Sequence, residues 1–362
     1  SEFAGRSVRI GQKPGDEGEP SCPSATPLAD AKAVCAALLG NEVNVVGGTA
    51  WLWATESLVG ALDVLFIDEA GQFSLANAVA VSPAADSLVL LGDPQQLDQP
   101  LKGWHPTGAE RSALAHLLDG EAIMPEGLGL FMERTWRLHP DICTYTSEVF
   151  YEGELLPEPG NERQVLRGVG IADGEGICFV SVDHAASRND NQSVEEAEAI
   201  ADLICDLLDG AATWTDRDGD QASISSSDIL VITPYNAQRK RIGVELAKRG
   251  GECAAVAVGT VDKFQGQQAP ISIYSMATST PEDAPRGMEF LYSLNRLNVA
   301  TSRARCLTLA VASPALLRAR AKTPRQMQLA NALCRLAEVA GRGSSAVSPP
   351  DTFVELGAHR RT

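Results

Sequence analysis

Leu62-Asp63-Val64-Leu65-Phe66-Ile67-Asp68-Glu69-Ala70-Gly71-Gln72 is the stretch whose reading decides the fold. An apolar run with the character of a buried parallel strand stops abruptly at two adjacent carboxylates and a small-residue turn. In open α/β sheets, ligands sit beyond the carboxyl ends of the strands, so Asp68 and Glu69 face a ligand crevice. A second run, Ser87-Leu88-Val89-Leu90-Leu91, ends in Gly92-Asp93-Pro94-Gln95-Gln96-Leu97. Taken alone, Asp-Glu at a strand end is a solvated turn. Two neighbouring strands that deliver Asp-Glu and then Gly-Asp-x-x-Gln to one sheet edge point instead to a nucleotide-hydrolysing core. In that chemistry Asp68 holds Mg²⁺, directly or through water, and Glu69 polarises the attacking water.

The rest of the composition sets bounds. A chain of 362 residues has room for two domains, each with its own core. Its 44% hydrophobic and 21% charged content is ordinary for a globular protein. No apolar run approaches a membrane span, and no start resembles a signal peptide, so the expectation is a cytoplasmic protein without a membrane partner. The eight cysteines are scattered without a C-x-x-C pair and read as reduced thiols, mostly core filler. A net charge of −17 gives no general support to a nucleic-acid partner. Basic residues cluster at Arg239-Lys240-Arg241 and along Arg318, Arg320, Lys322 and Arg325, patterns more typical of solvated helix faces than of phosphate tracks. A channel-shaped site needs only local positive charge.

Strands and helices alternate along the chain, which predicts α/β sheets twice over. Ser1-Glu2-Phe3 reads as a cloning scar, and residues 1–24 as scar and disordered lead-in. Residues 25–124 are expected to form a first domain, 125–341 a second, and 342–362 a flexible tail. Within the second, Ser193 and Glu196 form the signature of a capping box ahead of an apolar stripe at Val194, Ala197, Ile200, Ala201, Ile204 and Leu208. Residues 214–227 read as a polar, acidic loop. Strands are expected at 229–232, 254–258, 271–276 and 307–312. A last helix is expected from Pro324 to about Ala340, with Gly341 as stop.

Several further motifs stand in a fixed order: Gly47-Gly48-Thr49, Trp136-Arg137-Leu138-His139-Pro140, Phe150-Tyr151-Glu152-Gly153-Glu154-Leu155 and Thr233-Pro234-Tyr235-Asn236-Ala237-Gln238. Gly259-Thr260-Val261-Asp262-Lys263-Phe264-Gln265-Gly266 and Asn298-Val299-Ala300-Thr301-Ser302-Arg303-Ala304-Arg305 follow. Together with the two acid-tipped strands, the series resembles the superfamily-one helicases of the nonsense-mediated-decay and replicative helicase–nuclease type, over roughly 43–314. The resemblance implies two RecA-like parallel-sheet domains, the first truncated at its N-terminal side. It implies ATP and Mg²⁺ as cofactors and single-stranded nucleic acid, DNA favoured over RNA, as partner. By the same resemblance Asp68 and Glu69 are the metal-binding and water-activating acids, and Gln96 senses the γ-phosphate. Trp136 lies by the base, and Arg137 and Arg303 are arginine fingers. Thr49, Thr233, Tyr235, Asn236 and Thr260 contact the strand, while Gly266 and Gln268 lie in the nucleotide-binding motif.

The chemistry suits these residue types. Phosphoryl transfer asks for positioning and charge neutralisation, and the rigid, always-charged guanidinium supplies both. Thr, Asn and backbone N–H groups suit phosphate contacts without sequence information. Aromatics such as Trp51, Tyr235 or Phe264 can stack bases, although core packing is the commoner role of such residues.

Two departures from the family pattern matter. The chain contains no G-x-x-x-x-G-K-[ST], the loop that cradles phosphates, so this polypeptide is expected to be a fragment that does not hydrolyse ATP by itself. Gln268 stands where the family usually has Glu, which brings a hydrogen-bonding amide without charge. The alternative reading is a non-catalytic nucleic-acid-binding or partner-docking module on a RecA-like scaffold. Self-association through the truncated sheet edge is a further expectation.

Overall fold

The computed structural model describes residues 2–3, 6–14, 22–97, 108, 111–168, 174–184, 189–210 and 212–342. The chain divides into two units, residues 1–94 with 98–121 and residues 95–97 with 122–362. Gln95–Leu97 therefore packs with the second unit, although the strand that leads into it belongs to the first.

The first unit holds two separate parallel sheets. In one, β1 (Ile10–Gln12) lies between β2 (Thr26–Pro27) and β3 (Val45–Gly47). In the other, β4 (Leu62–Ile67) pairs with β5 (Ala85–Leu90), Ile67 opposite Leu90. Helices α1 (Ala31–Leu39), α3 (Leu75–Val81) and α4 (Ala113–Leu118) start at Asp30, Ser74 and Ser112, whose side chains each accept a backbone N–H three residues on. The short α2 (Ala50–Trp53) follows the Gly47-Gly48-Thr49 turn. β1, together with the antiparallel pairing of Glu2–Phe3 with Arg6–Ser7, corrects the expectation of a disordered lead-in at residues 2–3, 6–7 and 10–12. The backbone at Gly11 closes so tightly on Leu28 that a Cβ would lie 2.7 Å from Leu28 Cδ1. Arg9 anchors the same segment through the carbonyls of Asn41 and Glu42. Residues 1, 4–5 and 15–21 of that lead-in, and the tail beyond Arg342, lie outside the described residues.

The second unit is built on a five-stranded, all-parallel sheet. Its strands are β6 (Gly176–Ser181), β7 (Ile229–Thr233), β8 (Ala257–Thr260), β9 (Ala269–Ser275) and β10 (Ala304–Ala312), in the spatial order β6-β10-β9-β7-β8. Both faces of the central strands are apolar, as buried parallel strands require. Ile229, Val231, Ile271, Ile273, Leu307 and Leu309 pack with α6 (Val194–Asp209) and α7 (Asn236–Arg249). The alternating residues Leu230, Ile232, Tyr274 and Ala310 belong to the core that includes α5 (Pro140–Phe150), α9 (Leu294–Thr301) and α10 (Pro324–Arg342). A short α8 (Met288–Leu291) precedes α9. Each large apolar side chain buried here contributes about 1.5–3 kcal/mol, so this sandwich of helices on sheet holds the unit together.

Three expectations for this unit change. Ser193 Oγ does cap α6 by accepting from Glu196 N at 3.1 Å, but the Glu196 carboxylate turns inward to Ser275 Oγ and Ala277 N, so only half of the capping box forms. The loop expected at 214–227 contains two paired strands, Thr213–Thr215 and Gln221–Ser223. Asp216 closes their turn by accepting from the N–H groups of Asp218 and Asp220. The last helix runs past Gly341 to Arg342.

Candidate functional site

In the first unit the ladder continues past the end of β4: Leu91 N donates to Ile67 O at 2.9 Å and Ala70 N to Leu91 O at 2.8 Å. Asp68 and Glu69 are thereby held at the carboxyl end of the strand with exposed side chains. Glu69 has φ 52, the left-handed region that costs an L-residue roughly 1–2 kcal/mol. Asp68 Oδ1 accepts from Glu69 N at 2.9 Å, which fixes the turn. The glycines of the two acid-tipped loops let those loops meet backbone to backbone. A Cβ at Gly71 would lie 2.6 Å from Asp93 O, and one at Gly92 would lie 2.8 Å from Ala70 N. Two exposed carboxylates on a rigid strand end are suitable hard oxygen donors for a divalent cation such as Mg²⁺. On the same unit Thr49 is exposed at the start of α2, and Trp51 is 85% exposed.

The second unit brings Gln96, Arg137, Gln268 and Arg303 to the amino-terminal ends of β9 and β10. Arg303 is 1% exposed, and its guanidinium donates to Val299 O, Gln267 O and, through Nη2 at 3.1 Å, Gln96 Oε1. The backbone of the Gln95-Gln96 segment is clamped by α9, where Asn298 Nδ2 donates to Gln95 O at 3.0 Å and Asn295 Nδ2 to Gln96 O. Arg137 donates from Nε to Gln268 Oε1 at 2.8 Å and from Nη1 to Ser302 O at 3.1 Å. Both partners are neutral, and no carboxylate pairs with Arg137 among the described residues. Burial lowers the Arg137 guanidinium below its usual value, with Tyr151 pulling partly back and Arg305 adding slightly.

Local sequence explains why Arg137 sits there. His139 is the N-cap of α5, its Nδ1 accepting from Asp141 N at 3.2 Å, and Pro140 occupies the first helical turn. The preceding residues are fastened by side chains that belong to none of the motifs. Asn161 Nδ2 donates to Thr135 O and Leu138 O, each at 3.0 Å, and Gln164 Nε2 donates to Arg137 O at 2.9 Å. Trp136 is 64% exposed, and one ring face carries the Arg217 guanidinium 4.5 Å from its centroid. Gly266 is exposed with φ 77, a turn that favours glycine.

Thr233, Tyr235, Asn236 and Thr260 gather at the opposite, carboxyl-terminal ends of the strands. Asn236 is exposed and Thr260 half-buried. Thr233 and Tyr235 are not on the surface: Thr233 is 0% exposed, and Tyr235 packs its ring 5.5 Å from that of Phe290. Phe264, 1% exposed, lies beneath Gly259. For these two aromatics packing replaces base stacking. Behind the same rim lies a buried polar network that sequence reasoning missed. His184 Nε2 is 3.2 Å from Glu196 Oε1 and its Nδ1 3.0 Å from Ser279 Oγ. Gln238 links Ser193 N to Ser275 Oγ. Its members lie up to 95 positions apart, so spacing carried no signal.

The chain is similar to several known proteins. A family model described as an AAA domain matches residues 110–315. The RNA helicase Mov10l1 of Homo sapiens is 29% identical over 283 residues, covering 71% of this chain and 22% of that protein. The 5′–3′ DNA helicase ZGRF1 of Mus musculus is 28% identical over 294 residues, covering 78% of this chain and 14% of that protein. The solved structure of the arterivirus nonstructural protein 10 helicase matches with a TM-score of 0.42 and 14% identity, over 85% of this chain and 48% of that one. The chain spans under a third of the length of the curated relatives it matches. No helix among the described residues is long and apolar enough to cross a membrane.

Proposed function

This chain belongs to the AAA-domain family and carries a superfamily-one helicase region, and on that premise we propose that it is part of an ATP-driven, cytoplasmic motor that moves on single-stranded nucleic acid, DNA in preference to RNA. The observation that supports this reading most is the 3.1 Å hydrogen bond between Arg303 Nη2 and Gln96 Oε1. It joins a residue suited to sensing a terminal phosphate to one suited to neutralising it. In this reading Asp68 would hold Mg²⁺, and Glu69 would accept a hydrogen bond from the attacking water. Arg137 and Arg303 neutralise the terminal phosphoryl oxygens, while Trp136, Gly266 and Gln268 line the nucleotide's surroundings. Bound Mg²⁺ supplies charge neutralisation across the phosphates. Thr49, Asn236 and Thr260 hold the strand by its sugar–phosphate backbone, and the buried Thr233 and Tyr235 shape that turn.

The 362 residues contain no G-x-x-x-x-G-K-[ST], and this polypeptide alone is therefore proposed not to turn over ATP. The same observation favours a second reading, a non-catalytic nucleic-acid-binding module on the same scaffold. Self-association through the sheet edge is proposed at β4, whose strand partner among the described residues is β5, with the exposed Val64 and Phe66 on that same strand.

Fluorescence anisotropy with a labelled single strand and the matching duplex tests the binding half of the proposal. The single strand should bind more tightly. Asn236→Ala and Thr260→Ala should each weaken it about two- to tenfold, the net worth of roughly one hydrogen bond. Equal affinity for strand and duplex would sink the reading. A phosphate-release assay with added single strand should show no turnover, and turnover would overturn the inactivity. A nucleotide-dependent change in strand affinity separates a motor from a passive module.

A further inference from the structure

Cys205 lies in the last turns of α6, and Cys253 lies in the 3₁₀ turn Gly251–Ala255 that follows α7. Their Sγ atoms are 2.8 Å apart. That is closer than two sulfurs rest in ordinary packing, and about 0.8 Å longer than an S–S bond. All eight cysteines are free thiols. The seam is built to bring these two together. Gly250 and Gly251, with φ 72 and 55, fold the chain back toward α6. Arg249 pairs with Asp202 across the same two helices, and Cys253 sits in the apolar cluster against which Cys205 packs.

We propose that Cys205 and Cys253 form a reversible disulfide by exchange with a small-molecule disulfide such as oxidised glutathione. A thiolate of the protein attacks the reagent's S–S bond, releases one glutathione and leaves a mixed disulfide. The second cysteine, deprotonated, displaces the other glutathione. The two protein thiols give up two electrons and two protons, and one oxidised glutathione becomes two reduced ones. Cys205 is half-buried and Cys253 buried, so the first attack falls to Cys205. Burial, and then the Cys253 sulfur beside it, push the Cys205 thiol up to about 12, so exchange is slow at neutral pH and speeds up as pH rises. The bond would close a ring that contains β7 and α7, tying down the segment that carries Asn236 and restricting the unfolded chain. The proposal does not depend on the motor reading.

The test uses the full chain. It is incubated with oxidised glutathione at mildly alkaline pH, its remaining thiols are alkylated, and it is digested without reduction. The expected map joins the Cys205 and Cys253 peptides and leaves the other cysteines alkylated. The oxidised protein should unfold several degrees higher than after dithiothreitol, and Cys205→Ser or Cys253→Ser should abolish that difference. Alkylation of both cysteines, cross-links spread over the other six, or an unchanged shift in the serine variants overturns the proposal. Where a variant fails to fold, the peptide map of the unaltered chain decides.

Discussion

Position 268 carries an amide that accepts from Arg137 Nε at 2.8 Å and leaves the guanidinium without a counter-charge. Gln268→Glu would place a carboxylate there. The variant should gain about 0.5–1 kcal/mol, as a partly exposed ion pair does, and lose affinity for inorganic tripolyphosphate by about three- to tenfold because the guanidinium is then engaged. Thermal unfolding and titration calorimetry read the two effects, and unchanged anion affinity would remove Arg137 from the phosphate-binding set. His139 yields a pH prediction. Burial depresses its pKa, with Asp141 and Glu175 pulling partly back. The folded state therefore disfavours the protonated ring, and stability is complete above the ordinary histidine value of about 6.5 and declines as pH falls below it. His139→Asn, which keeps a capping side chain, should flatten that decline in pH-dependent urea unfolding. At this scale the acids, arginines and glutamine stand out in the sequence as candidates because their residue types suit phosphate chemistry. Their pairings do not: Gln268 is 131 positions from Arg137, and Gln96 is 207 from Arg303. No local pattern encodes such a pairing.

The turn after β4 and the turn after β5 depend on each other, because neither tolerates a side chain where they touch. Gly92→Ala would press its methyl to 2.8 Å from Ala70 N and 2.9 Å from Gly71 N. It should cost about 2–4 kcal/mol, since backbone on both sides must shift. A lowered urea midpoint is the expected result, and a midpoint within error of the starting protein would show that the turns yield. The elements that were readable are those whose own sequence carries enough information. α6 has a cap and an apolar stripe, and β7, β9 and β10 are rich in apolar residues, whereas the strand expected at 254–258 is the short Ala257–Thr260, preceded by a 3₁₀ turn over Gly251–Ala255. The misjudged elements are short and decided by partners. β1 is three residues held by strands on both sides. The hairpin at 213–223 is polar outside and anchored by Trp214, over which Arg305 stacks at 4.7 Å. Capping Glu196 turned inward because a buried histidine and serine offered it better partners than its own helix end.

At the scale of the molecule, charge and exposed apolar surface set behaviour in solution. With a net charge of −17, copies of the chain repel one another at low ionic strength. In the proposed second-copy contact, Phe66, 64% exposed, and Val64, 41% exposed, would supply the opposing attraction. Sedimentation velocity should show association that grows with added salt, as screening removes the repulsion, and Phe66→Lys should abolish it. A monomer at every salt concentration would remove the second-copy surface. The parallel sheet of the second unit has a consequence of its own. Arg303 and Gln268 precede β10 and β9, whereas Asn236 and Thr260 lie just past or at the ends of β7 and β8. β10 alone is nine residues, a rod of about 30 Å. No side chain reaches from one rim to the other, and a close-packed interior does not compress. In the proposed motor, a tug on the arginine rim would therefore arrive at the asparagine rim as a tilt of the entire slab, with the sheet as its lever.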